Sequence, residues 1–238
     1  MGNISAGENN PAGADAAAGH ASPPVGRGLY RQVPNLITIG RLVVTGLFFV
    51  LITVPAAPSQ TVFRAWLSLL VFTLAVISDV LDGYLARSWR VESVFGRVVD
   101  PFADKILICG AFVFFSEPGW RAWPLPPAMA ALHYSSTGIY AWMAVVLIAR
   151  EFLVTGIRAL AEGQGLDFRA QWAGKVKMVV QCAAIIAVIL CPALGYELRP
   201  NNLQILLMVR NAAIWLTLAV TVLSAAQYIW LAKKLIHS

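Results

Sequence analysis

The sequence predicts an all-α membrane protein: six transmembrane helices preceded by a short N-terminal interfacial helix. Two observations carry this. The chain is 58% hydrophobic and only 13% charged, whereas a soluble domain of ordinary composition has roughly a quarter charged residues. The apolar residues also arrive in long blocks, several of which reach the about 20 residues needed to cross a hydrocarbon core.

Residues 1–28 are rich in Ala, Gly, Pro and Asn and contain no apolar run. Such a segment cannot bury enough surface to fold, so it is expected to be a disordered tail. It also lacks the apolar centre of a signal peptide. Residues 29–238 then form one membrane domain. Its first stretch, Leu29-Tyr30-Arg31-Gln32-Val33, mixes apolar and basic residues in the way of a surface-lying helix.

The spans follow in order. The first is expected over Asn35–Val54, closed by Pro55 and Pro58, and the second over Thr61–Ala86. The third is expected over Arg97–Phe115, before Pro118-Gly119, and the fourth over Gly138–Leu160. The fifth covers Lys175–Leu194 and the sixth Leu203–Leu231, before Lys233-Lys234.

The net charge is +6. Its placement between apolar blocks suits topology and anionic lipid rather than nucleic acid. With the N-terminus inside, 14 of the 18 basic residues fall on the inner side, and only Arg64, Arg121, Arg199 and Arg210 fall outside. Both termini are therefore expected in the cytoplasm. Cys109, Cys182 and Cys191 lie in apolar segments with no CxxC pair, and read as small buried residues rather than as a disulfide or a zinc site.

The chemistry concentrates in one place. Asp79, Asp82, Asp100 and Asp104 fall within 26 residues, and carboxylates in membrane spans are costly enough to mark function. Asp79 and Asp82 are three apart and Asp100 and Asp104 four apart, so each pair shares a helix face. A short polar turn over residues 88–95 would let the two helices pack antiparallel with the pairs facing. Four clustered anions repel unless cations intervene, and hard divalent cations such as Mg²⁺ or Mn²⁺ suit an all-oxygen set. Gly83, Ala86 and Gly96 remove bulk beside the carboxylates, and Arg87 can hold a phosphate oxygen. Salt bridges to Arg87, Arg97 and Lys105 are the plainer alternative, and would suit one carboxylate better than four.

The same segment fills the pattern DxxDGxxARx8GxxxDxxxD with Asp79, Asp82, Gly83, Ala86, Arg87, Gly96, Asp100 and Asp104. It thereby resembles the CDP-alcohol phosphatidyltransferase family. Pro34-Asn35-Leu36-Ile37-Thr38-Ile39-Gly40-Arg41 is similar to that family's N-terminal element. Arg150-Glu151-Phe152 through Arg158, with Gly174-Lys175-Val176-Lys177 and Gln181, resembles the phosphatidylglycerophosphate synthase branch.

The resemblance implies metal ligation by Asp79, Asp82 and Asp100, with Asp104 as general base and also near the metal. It implies a nucleotide and pyrophosphate site at Asn35, Thr38, Arg41, Asp79, Asp82, Gly83, Ala86, Arg87 and Gly96. The expected reaction takes a phosphatidyl group from CDP-diacylglycerol to glycerol 3-phosphate. Arg150, Arg158, Lys175 and Lys177 are then the candidate ligands of the acceptor phosphate, with Glu151 as structural support. A homodimer in the bacterial inner membrane, among membrane lipids and with its active site cytoplasmic, completes the expectation. A cardiolipin synthase of the same fold, or another family member with a different acceptor, is the first alternative. A divalent-ion transporter is a remote one, because it would spread acidic residues over several spans.

Overall fold

The computed structural model describes residues 27–54, 57–89, 94–116, 137–163 and 172–236, with residues 27–38, 58, 80–89, 94–104, 162, 172–173, 231 and 234–236 described as backbone only. Six α-helices are found among the described residues: α1 (Arg27–Thr53), α2 (Thr61–Trp89), α3 (Val94–Ser116), α4 (Ala141–Gly163), α5 (Trp172–Leu194) and α6 (Pro200–Ile236). A 3₁₀ turn, Pro58–Gln60, leads into α2. Each expected span coincides with a helix; the starts of α2 to α6 differ by at most three residues, whereas α1 starts eight residues before the expected Asn35. Residues 1–26 of the expected tail lie outside the described residues, and Arg27 and Gly28 already belong to α1.

One expectation changes in form. Residues 29–33 do not make a separate helix but the first turns of α1, which continues through Pro34 without a break.

Three helices contain stretches long and apolar enough to cross a membrane: Thr61–Asp79 in α2, Gly174–Leu194 in α5 and Pro200–Trp230 in α6. α1 and α3 carry shorter apolar stretches, Ile39–Thr53 and Lys105–Ser116. In α4 the apolar run is interrupted by Arg150, Glu151 and Arg158.

The distribution of side chains is that of a bundle in lipid. On α1, Ile39, Val43, Leu47, Val50 and Val54 are exposed, while Arg41, Thr45, Phe48 and Ile52 are buried. On α2, Phe63, Trp66, Leu70, Leu74 and Ile77 are exposed, while Ala65, Ser68, Phe72 and Ala75 are buried. The outward stripes are apolar, and the polar residues face inward. Water would penalise such large apolar surfaces, whereas a hydrocarbon solvent favours them and drives polar groups to the interior.

α1 packs against both α2 and α3, α4 packs against α3 and α6, and α5 packs against α2, α3 and α6. The main core joins these helices through Phe48, Phe72, Phe112, Phe115, Ile185 and Leu218. Phe48 and Phe72 stack at 5.3 Å between centroids and Phe49 and Phe114 at 5.0 Å, both tilted. Gly110 makes the α1–α3 approach possible. A Cβ there would sit 3.0 and 3.2 Å from Cε1 and Cε2 of Phe49, and closer still to Cζ. Gly110→Ala is therefore expected to cost about 1–3 kcal/mol by overpacking, read as a lowered midpoint of thermal unfolding in detergent.

At the far end of the bundle, Gly138 adopts φ +75° against Arg210 and Asn211. Arg210 is 1% exposed and donates to Asn211 Oδ1 at 3.0 and 3.2 Å. Gly138 precedes α4 and Arg210 lies early in α6, while Arg150 of α4 reaches Ser224 of α6. The two helices thus run parallel, and the Arg150 end is separated from Arg210 by about 14 residues, or roughly 21 Å of helix.

Candidate active site

The DxxDG segment lies on the last turns of α2, and the GxxxDxxxD segment on the first turns of α3. All four aspartates are helical, so the spacings of three and four hold on real helices. α2 runs to Trp89 and α3 starts at Val94, which leaves 90–93 as the connection, shorter than the expected turn. The side chains of Asp82, Gly83, Ala86, Arg87, Gly96, Asp100 and Asp104 lie outside the described residues, as do those of Asn35 and Thr38.

Asp79 is described, and it is not alone. Arg41 of α1 forms a salt bridge to Asp79 Oδ1. The arginine side chain is 2% exposed and the carboxylate 25%. Two residues singled out from separate parts of the sequence thus meet. Their meeting follows from the packing of α1 on α2, with Arg41 on the inward stripe it shares with Thr45 and Phe48. A carboxylate in this position draws a cation out of the protein itself. The contact gives the Asp79 carboxylate a buried counter-charge within the protein.

A second polar assembly lies between α3, α4 and α5. A small cleft is lined by Lys105, Ile108, Cys109, Glu151, Gly174, Lys177, Met178 and Gln181. Lys177 forms an ion pair with Glu151 Oε1, and Arg150 Nη1 reaches the same oxygen at 3.1 Å. Lys105 Nζ donates to Thr155 Oγ1 at 2.6 Å, and that hydroxyl donates to the Glu151 carbonyl at 2.7 Å. Gln181 is buried.

Behind the cleft, α4 is tied to α6. Arg150 donates from Nε and Nη2 to Ser224 Oγ at 3.2 and 2.8 Å. Arg158, two turns on, donates to the Tyr228 hydroxyl at 3.1 Å with its guanidinium 6.0 Å from the ring centroid. Ser224 and Tyr228 are one turn apart on α6, so the two arginines and their two partners form matching rows.

The four candidate acceptor ligands are thus distributed unevenly. Lys177 lines the cleft, Arg150 is buried behind Glu151, Arg158 faces α6, and Lys175 is exposed. The Arg150–Glu151 pair expected from the sequence is present. Reading the sequence had not pointed to Ser224, Tyr228 or Thr155, nor to Lys105 as part of this cleft. The signal available was faint: Ser224 and Tyr228 sit four apart in an apolar span, and Thr155 sits four after Glu151.

Comparison with known proteins agrees with the motif. The CDP-alcohol phosphatidyltransferase family profile matches residues 31–223. The chain belongs to the CDP-alcohol phosphatidyltransferase family. Among its relatives is the CDP-diacylglycerol–glycerol-3-phosphate 3-phosphatidyltransferase of Bacillus subtilis strain 168. It is 29% identical over 204 residues, which cover 83% of this chain and 93% of the relative. Enzymes of the same name from Salmonella paratyphi A and Escherichia coli K12 are 31% and 29% identical over 168 residues, covering 70% of this chain and 81% of each. The match starts inside α1 and ends on α6, so it contains both the carboxylate helices and the cationic cleft.

Proposed function

We propose that this membrane enzyme transfers the phosphatidyl group of CDP-diacylglycerol to glycerol 3-phosphate, giving phosphatidylglycerophosphate and CMP. The observation that carries the choice of acceptor is the position of the cationic cleft. Lys105, which follows Asp104 in the chain, lines it together with Lys177. In this reading a small dianion held there presents its free hydroxyl to Asp104, the residue before Lys105 on α3.

Asp79, Asp82 and Asp100, with Asp104 beside them, would hold Mg²⁺ or Mn²⁺. When bound, such an ion neutralises the pyrophosphate and stabilises the leaving CMP. The rest is the work of side chains. Asp104 accepts the proton of the acceptor hydroxyl. The freed oxygen attacks the phosphorus that carries the lipid, and the bond from that phosphorus to CMP breaks. Arg41, with Asn35, Thr38, Gly83, Ala86, Arg87 and Gly96, shapes the nucleotide and pyrophosphate site. The salt bridge between Arg41 and Asp79 supports grouping these two residues. Lys177 and Lys175 supply positive charge for the acceptor phosphate, and Arg150 and Arg158, engaged with Ser224 and Tyr228, stand behind them.

The proposed topology has all six helices crossing the inner membrane of a bacterial cell, with both termini and the site on the cytoplasmic face. The early turns of α1, with Arg27 and Arg31, lie at the interface. The functional unit is a homodimer. The basic residues support this orientation, and the outward apolar stripes support the lipid surroundings.

The decisive experiment is an acceptor comparison. Purified protein is supplied with CDP-diacylglycerol and Mg²⁺ and, in turn, glycerol 3-phosphate, phosphatidylglycerol, serine and inositol. CMP release is expected with glycerol 3-phosphate. Release only with phosphatidylglycerol would make the protein a cardiolipin synthase, and ion flux into proteoliposomes without CMP release would make it a transporter.

A further inference from the structure

The centre of the cationic cleft is an anion. Oε1 of Glu151 receives both Arg150 and Lys177, and the Glu151 carbonyl receives Thr155, which in turn receives Lys105. Both ammonium groups of the cleft are thus engaged, directly or through one hydroxyl, with residue 151. A carboxylate oxygen and a phosphate oxygen make the same charge-assisted contact to an ammonium. Glu151 therefore occupies, on Lys177, the kind of position that a phosphate would take.

We propose that Glu151 is an acceptor-selecting counter-ion, held on Lys177 until the phosphate of glycerol 3-phosphate displaces it. This rests on the reading of the cleft as the acceptor site. The exchange is feasible because Glu151 has a second cation. Arg150 is buried and fixed by two hydrogen bonds to Ser224. When Lys177 turns to the phosphate, the carboxylate keeps Arg150 and is never an isolated buried charge, the situation that costs most. Selectivity follows from the same contact. A neutral polyol offers Lys177 only uncharged hydroxyl oxygens in place of the Glu151 carboxylate, so breaking the pair is poorly compensated. A dianion replaces the lost contact, and the wrong acceptor is rejected by the cost of opening the site.

The test uses the full chain in detergent with Mg²⁺. Cys109 lines the cleft and is half-buried. Its alkylation by N-ethylmaleimide is followed by peptide mass spectrometry, which separates it from Cys182 and Cys191. Glycerol 3-phosphate is expected to slow the reaction of the unaltered protein, and glycerol is not. In Glu151→Gln the concentration of glycerol 3-phosphate giving half-protection is expected to fall about tenfold, the equivalent of about 1.4 kcal/mol. Inorganic phosphate is expected to gain the same advantage. If Glu151 instead only positions Lys177 for the phosphate, half-protection needs an unchanged or higher concentration, and the displacement proposal is overturned. Absence of protection in the unaltered protein overturns the acceptor reading itself. Should Glu151→Gln fail to fold, Glu151→Asp withdraws the carboxylate from Lys177 and carries the same expectation at smaller size. Calorimetric titration of the same proteins with glycerol 3-phosphate gives the affinity ratio without dependence on thiol reactivity.

Discussion

Asp104→Asn is expected to lower turnover by about 10²–10⁴-fold, the usual contribution of a positioned general base, while binding of CDP-diacylglycerol and divalent metal survives. The substitution preserves shape while replacing a carboxylate with a neutral amide that cannot take a proton, and Asp79, Asp82 and Asp100 remain to hold the metal. Asp79→Asn is expected to behave differently. It removes one anion from the carboxylate set and should weaken metal binding itself, so that raising the metal concentration restores part of the rate. The two variants are compared by Mn²⁺ titration with electron paramagnetic resonance and by CMP release at saturating metal. Equal loss of Mn²⁺ affinity in both contradicts the division between ligand and base. Asp79→Asn needs one further control, because it strips the buried Arg41 of its carboxylate partner. Leaving one member of a buried pair behind is destabilising, so thermal unfolding must show that the variant is folded before its metal affinity is read.

The ease with which the helices were found in the sequence, and the difficulty of finding their partners, have the same physical origin. In a chain surrounded by hydrocarbon, each span must satisfy its own backbone hydrogen bonds, so span position is written into local composition. The apolar blocks therefore placed five of the six helix starts within about three residues, and Pro34 misled at the remaining one, where α1 begins at Arg27. The Arg41–Asp79 contact joins two segments that only the family resemblance had grouped in one site; neither segment's composition or spacing names the other. Arg150, Arg158, Lys175 and Lys177 illustrate the limit more clearly. Basic residues belong at cytoplasmic span ends for reasons of topology alone, so their presence could not show whether they face a ligand, a neighbouring helix or lipid headgroups. Only the packing of α4 against α6 distinguishes Arg150 and Arg158, which engage Ser224 and Tyr228, from Lys177, which opens on the cleft.

That distinction leads to the second large effect. Arg150→Met is expected to lower the free energy of unfolding by roughly 3 kcal/mol, the low end of the range for breaking a buried ion pair. The guanidinium makes two hydrogen bonds to Ser224 and one to Glu151, and it is buried. Methionine fills much of the volume and satisfies neither partner. The loss stays at the low end because Glu151 retains Lys177, and Ser224 still donates to the Thr221 carbonyl at 2.9 Å. Ser224→Ala removes the same two hydrogen bonds while leaving both charges in place, and should cost less, about 1–2 kcal/mol. Unfolding midpoints in detergent for the two single variants and the double variant test whether the effects share one contact: the double variant should be little worse than Arg150→Met alone. A ligand role for Arg150 predicts another pattern. The arginine variant would then raise the KM for glycerol 3-phosphate without lowering the midpoint, and Ser224→Ala would leave both unchanged. The structure favours the first pattern, because a guanidinium that spends three contacts on α6 and on its own helix is the brace that holds Glu151 at the floor of the cleft.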